Sequence, residues 1–213
     1  QVGSSAASDV YKRQVLIRPK RSELNSRNEV DLTRTFRFKN GAMWTGVPVI
    51  AANMSTTGTF EIYQQLSKHK MLTALHKFYK PNDFKQFVDK HGEMNPEYFM
   101  ISTGISDSDF QNLCNITNTV DCKWICIDIA NGYISKFLEF CKKVRTTFPH
   151  HIIVAGNVAT REMVETLIME AGVDIVKVGI GPGSVCTTRK KTGVGMPQLS
   201  CVLECADAAH GVG

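Results

Sequence analysis

The run Gly179-Ile180-Gly181-Pro182-Gly183-Ser184-Val185-Cys186-Thr187-Thr188-Arg189-Lys190-Lys191 carries the densest chemistry in this chain. Three glycines and a proline within five positions force a tight loop, permit positive φ and let backbone approach a ligand closely. Consecutive backbone groups in such a loop can cradle a phosphate or coordinate a cation. A cysteine set just after it, beside threonines and basic residues, has surroundings that lower a thiol pKa, and the thiolate is a nucleophile. The plainer reading is a simple turn followed by a buried cysteine, and composition alone leaves both open. Further polar residues end apolar runs along the chain: Asn53, His76-Lys77, Ser102-Thr103, Asp128 with Asn131, and Asn157. Asn131 and Asn157 also suit structural caps.

These residues need elements to position them. Strand-like apolar runs are expected at Val47–Met54, Met71–His76, Tyr98–Thr103, Lys123–Ala130, His151–Val158 and Asp174–Ile180. Their starts lie 24, 27, 25, 28 and 23 residues apart. Between them, helical spacing marks Thr59–Lys68, Asp83–Lys90, Asp107–Thr117, Ile134–Phe148 and Arg161–Ala171, and Pro197–His210 reads as a sixth helix. Thr160 is the expected N-cap of the helix from Arg161, and Gly172 its stop. Strand–helix alternation with near-continuous apolar runs predicts a parallel sheet covered on both faces. No GxGxxG follows the first strand, which ends Ala52-Asn53-Met54-Ser55, so a dinucleotide-binding open sheet is disfavoured. Polar residues at successive carboxyl ends suit a (β/α)8 barrel rim instead. Six βα units fit, so the fold class is α/β, a TIM barrel with about six of eight units present, spanning residues 47–213. Residues 1–14 read as a non-native leader. Residues 15–46 read as a hairpin prelude, with Thr35–Lys39 alternating and Asn40-Gly41 closing the turn.

Composition narrows the class. The chain has 213 residues, a net charge of +5, 43% hydrophobic and 21% charged residues, which is ordinary globular usage. No apolar run approaches the ~18 residues of a membrane span, so no membrane association is expected. The basic clusters at Arg18–Arg21 and Arg189–Lys191 suit a solvated surface or an anionic ligand, and with no nucleic-acid motif no nucleic acid partner is expected. Seven cysteines without a secretory segment indicate free thiols, a reducing compartment and a cytoplasmic location. Six of them read as small buried hydrophobes, Cys186 being the exception. A thiol redox protein would need a resolving cysteine at CxxC spacing, and none occurs.

The loop GIGPGSVCTTRKKTGVGMPQ resembles the catalytic cysteine loop shared by GMP reductase and IMP dehydrogenase. The segments Arg18–Ser22, Ser26-Arg27, Glu29–Leu32, Ile50–Met54, His76-Lys77, Asp128–Tyr133 (DIANGY), Ala155–Val158 (AGNV) and Glu204–Gly211 (ECADAAHG) are similar to the GMP reductase branch. The regulatory insert usual in IMP dehydrogenases has no room between Lys77 and Tyr98. The resemblance implies NADPH-dependent reduction of GMP to IMP and ammonia. Cys186 matches the nucleophile that forms a covalent thioimidate at purine C2, and Thr188 the hydroxyl that assists proton transfer. Gly181, Gly183 and Cys186, with Arg189, match a monovalent-cation site for K+. Ser184 matches a substrate phosphate contact. Lys77, Asp128, Ile129, Ala130, Ile180 and Gly181 match the NADPH site; at its strand end Asp128 could accept a ribose hydroxyl. Ser26 and Arg27 match a contact to a neighbouring subunit's cofactor, implying a homo-oligomer, typically a tetramer. The family usually carries Asp where Ser55 stands. Its seventh and eighth units, with a flap glutamate, are expected beyond Gly213, so the expectation is an inactive fragment. An IMP dehydrogenase-like enzyme and a non-catalytic truncated subunit are the alternatives.

Overall fold

The computed structural model describes residues 18–212. The expected leader, residues 1–14, lies outside them. The chain divides into two units, one up to Asp31 and one from Leu32. In the first, Arg27–Glu29 forms a single 3-10 turn, capped where the Asn28 N–H donates to Ser26 Oγ at 3.3 Å. Ser26 and Arg27 are both exposed there.

The second unit opens with the expected hairpin, β1 (Arg34–Arg37) and β2 (Met43–Gly46), antiparallel with Phe36 opposite Trp44. Gly41 takes φ +84°, which only glycine adopts readily, and the Ala42 N–H donates to Asn40 Oδ1 at 3.0 Å. This hairpin does more than precede the sheet. Trp44 meets Trp124 edge-on at 5.6 Å, and Phe38 does so at 5.8 Å. Trp124, Leu72 and Ile152 all begin their strands, so the hairpin plugs the amino-terminal end of the sheet's concave face.

Six parallel strands follow in unbroken sequence order: β3 (Ile50–Ala51), β4 (Leu72–Leu75), β5 (Phe99–Thr103), β6 (Trp124–Asp128), β7 (Ile152–Val158) and β8 (Ile175–Val178). All six expected runs are present, and the sheet curls as an incomplete barrel. Along β6, Trp124 and Cys126 point to the interior while Ile125 and Ile127 point to the helices. Both faces are apolar, which is why the strands read as continuous runs rather than alternating ones. The edges differ. β3 is shorter than expected, because the Val49 N–H turns back to Val47 O at 2.7 Å instead of joining the ladder to β4. β8 is only half-buried along its length. Between these two edges lies an apolar cavity of about 790 Å³, lined by Pro48, Ile50, Val176, Val178 and Val202.

The helices are α1 (Phe60–Leu66), α2 (Pro81–His91), α3 (Asp107–Thr117), α4 (Ser135–Thr147), α5 (Arg161–Met169), α6 (Thr188–Thr192) and α7 (Gln198–Val212). Ser106 caps α3, and Asp109 returns a bond to the Ser106 N–H, which fixes that start where the sequence placed it. Thr160 precedes α5 but makes no side-chain cap; its hydroxyl accepts instead from Tyr133 Oη at 3.0 Å. Gly172 has φ +63° three residues past the last helical residue. The one-turn helix α6 was not expected, since its sequence lies inside the glycine-rich run.

Trp44 is 3% exposed and its indole N–H donates to Glu97 O at 2.8 Å. Trp44→Ala should therefore destabilise the chain by about 3–5 kcal/mol, read as a lower urea midpoint. An unchanged midpoint would show that the hairpin plug is dispensable.

Candidate active site

At the carboxyl end of the sheet the interior turns polar. Asp128 ends β6, opposite Gly156 of β7, which in turn lies opposite Lys177 of β8. The absent side chain at Gly156 opens the gap across which the two charges meet, for a Cβ there would lie 2.6 Å from Lys177 Cβ. Lys177 Nζ is 3.0 Å from Asp128 Oδ1 and donates to Asn53 Oδ1 at 2.9 Å. Asn53 Nδ2 donates to Asp128 Oδ2 at 2.6 Å, and Asn157 Nδ2 donates to Asp128 Oδ1 at 2.8 Å and to Ile129 O at 2.9 Å. Sequence reasoning had Asp128, Asn53 and Asn157 on this rim but missed Lys177. The signal was there: a lysine within the apolar strand Ile175–Val178 demands an interior partner.

The cysteine loop leaves β8 beside this layer. The Gly179 N–H donates to Val158 O at 2.7 Å, and a Cβ at Gly179 would lie 2.5 Å from Gln198 Oε1, so glycine is required. Gly181, at φ +58°, packs against Thr188 and Arg189, with a Cβ there meeting Thr188 Cβ at 3.1 Å and Arg189 Cγ at 3.2 Å. Arg189 ties the fold-back together. Its Nε donates to Ile180 O at 3.0 Å, and its guanidinium also donates to Met196 O. Within this clasp the Cys186 N–H donates to Gly183 O at 3.1 Å, and Cys186 Sγ donates to Thr188 Oγ1 at 3.3 Å. Once the sulfur is deprotonated, the Thr188 hydroxyl and N–H donate to it. These bonds, with the Arg189 charge nearby, hold the Cys186 thiol below its usual pKa.

The other thiols run the opposite way. Burial pushes Cys122 and Cys141 up to about 12, and Cys126 and Cys205 up to about 11. Cys201 is also raised by burial. Five of the six cysteines expected to be buried are so; Cys114 is only half-buried. Cys186 is only partly buried, and among the described thiols whose pKa is shifted it alone is lowered.

Lys77, just beyond β4, is exposed, and Gly104 leaves room for it, a Cβ there falling 3.2 Å from Lys77 Nζ. Ile129 is half-buried and Ala130 exposed at the end of β6, while Ile180 is buried. The Ile129 N–H donates to Gly156 O at 3.0 Å. Ser184 and Ser55 are exposed. Asp128 keeps acceptor capacity on Oδ2 and is partly open to solvent, which suits a ligand hydroxyl. The loop's donors suit a monovalent cation, since Gly181, Gly183 and Cys186 offer backbone oxygens. Arg189 could join only through its backbone oxygen, because its guanidinium is itself a cation and a donor. No group of three or more His, Cys, Asp or Glu arranged for a metal occurs among the described residues. No helix among them is long and apolar enough to cross a membrane.

A parallel β/α sheet curled into part of a barrel, with a partly buried thiol of lowered pKa on its carboxyl rim, defines the class: an incomplete barrel of the TIM type. The chain belongs to the IMP dehydrogenase / GMP reductase domain family, whose family model matches residues 11–213. It is 57% identical over 200 residues to GMP reductase 2 of Bos taurus, covering 93% of this chain and 57% of that protein. It is 57% identical over 201 residues to GMP reductase of Photobacterium profundum, covering 93% of this chain and 58% of the relative. A crystal structure of inosine 5' monophosphate dehydrogenase from Legionella pneumophila superposes with a TM-score of 0.77 at 30% identity, covering 91% of this chain and 58% of that one. The chain thus spans somewhat more than half the length of the relatives it matches.

The lowered thiol gives a direct expectation. Alkylation of Cys186 by iodoacetamide, followed by peptide mass spectrometry, should reach its plateau at a lower pH than a free cysteine does. Thr188→Val, which removes the hydroxyl, should move that plateau to higher pH. A Cys186 profile like that of a free cysteine would show that the loop does not activate the thiol.

Proposed function

We propose that this chain carries the nucleophile half of a GMP reductase, which converts GMP to IMP and ammonia. The observation that carries this reading is the Cys186–Thr188 pair, clasped by Arg189 on the carboxyl rim. In it, the Cys186 thiolate attacks C2 of the purine. A carbon–sulfur bond forms, the C2–amine bond breaks, and ammonia leaves with a proton passed by the Thr188 hydroxyl, giving a thioimidate on Cys186. C2 then accepts a hydride, the carbon–sulfur bond breaks and the thiolate returns. NADPH supplies that hydride when bound. Lys77 would meet its phosphates, Asp128 would accept a ribose hydroxyl, and backbone at Ile129-Ala130 and Ile180-Gly181 would complete its binding site. Ser184 takes the substrate phosphate. Backbone oxygens of Gly181, Gly183, Cys186 and Arg189 would hold K+, whose charge would keep the loop shaped around the thiol. Ser26 and Arg27 serve a neighbouring subunit's cofactor in a homotetramer acting in the cytoplasm. The preference for GMP over IMP as substrate is supported by the GMP reductases at 57% identity, against 30% for the IMP dehydrogenase.

The cavity between β3 and β8 leaves the interior open, so residues 1–213 assayed alone should not turn over. A protein carrying this stretch should oxidise NADPH when given GMP. Cys186→Ala should abolish that rate, and Thr188→Val should lower it by about 10²–10⁴-fold. Reduction of NAD with IMP at a greater rate would replace this reading with an IMP dehydrogenase.

A further inference from the structure

Asp128, Lys177 and Asn53 form a closed ring of polar contacts across the mouth of the sheet. Lys177 reaches Asp128 Oδ1 and Asn53 Oδ1, while Asn53 Nδ2 returns to Asp128 Oδ2. Each member is thus oriented by the other two, and Asn157 holds the outer side of the carboxylate. Asn53 follows edge strand β3 and Lys177 belongs to edge strand β8, so the ring also spans the open side of the sheet. The Lys177 ammonium has three donors and spends two of them in the ring. The Asp128 carboxylate has about four acceptor positions; Asn157 and Lys177 occupy Oδ1, and Asn53 occupies one on Oδ2. The acceptor left on Oδ2 is therefore aimed by the ring rather than by Asp128 alone. The side chains of Lys177 and Asp128 are 28% and 24% exposed, wet enough to meet a ligand and dry enough for the pairing to fix a direction.

We propose that Lys177 is a positioning residue for cofactor binding, holding the Asp128 carboxylate turned so that its free acceptor meets a ribose hydroxyl of the nicotinamide dinucleotide. This rests on the proposed function above for the identity of the ligand. Lys177 acts through Asp128 and Asn53 and does not itself touch the cofactor.

The test is titration of the 213-residue chain with NADPH, followed by nicotinamide fluorescence, for the wild type, Lys177→Met, Lys177→Arg, Asp128→Asn and the Lys177→Met/Asp128→Asn double variant. Charge-assisted bonds of this kind predict that Lys177→Met weakens binding about tenfold or more, while Lys177→Arg, which keeps the charge, stays within about threefold of wild type. The double variant should bind no more weakly than Asp128→Asn, because the lysine acts through the aspartate. Wild-type affinity in Lys177→Met, or losses that add in the double variant, would overturn the proposal. So would a wild-type chain that binds no NADPH. If circular dichroism shows Lys177→Met unfolded, Asn53→Ala breaks the ring and keeps both charges; it should weaken binding about threefold or more, and unchanged affinity in that folded variant overturns the proposal equally. A protein that shows this binding pattern but no Cys186-dependent reduction of GMP counts against the proposed function, and leaves the positioning role standing.

Discussion

Lys177 brings a positive charge into the interior of a curled sheet, and the architecture of the rim follows from the need to meet it. An unpaired ammonium there would be costly, so an acid must stand within reach. Asp128 does so at the end of the second strand away, with only the missing side chain of Gly156 between them. Asn53 arrives from the far edge and completes the ring. Beneath this layer the concave face is mostly apolar, filled by Trp124, Met100 and Val154, with Ser102 buried beside Cys126, and plugged from below by Trp44. The sheet therefore has an apolar floor and a polar mouth.

The cysteine loop shares that mouth but is built by a different rule. Its glycines are where they are because side chains would collide, with Gln198 at Gly179 and with Thr188 and Arg189 at Gly181. Their absence lets the loop turn back on itself. Arg189 then spends its guanidinium on two loop carbonyls, and so holds its charge near Cys186 with no ion pair to an acid among the described residues. That is what separates Cys186 from the buried cysteines. Those are packed as small hydrophobes and pushed toward high pKa, whereas Cys186 has donors and a cation beside it.

Much of this was legible in the sequence. The spacing of apolar runs gave six parallel strands in order, because a strand buried on both faces has no other way to read. The span Asp107–Thr117 was legible to the residue, since Ser106 and Asp109 form a cap that is local in sequence. Less local features were not. Thr160 looked like a cap, but its hydroxyl is taken by Tyr133, which lies 27 positions away. Lys177 looked like one more strand residue, because its partners Asp128 and Asn53 come together only through the curl of the sheet. The hairpin was readable as a hairpin, yet its role as the floor depends on Trp44 meeting Trp124 across 80 positions. Cys186 was singled out by its neighbours in sequence, and those same neighbours supply its donors.

In the proposed reaction Cys186 is the nucleophile toward a purine nucleotide. Rapid acid quenching of a protein carrying this stretch during turnover with GMP and NADPH, followed by peptide mass spectrometry, would trap the intermediate. The peptide containing Cys186 should carry the mass of GMP less ammonia, and no other cysteine peptide should. Turnover with an unmodified Cys186 peptide, or with the adduct on another residue, would contradict that role.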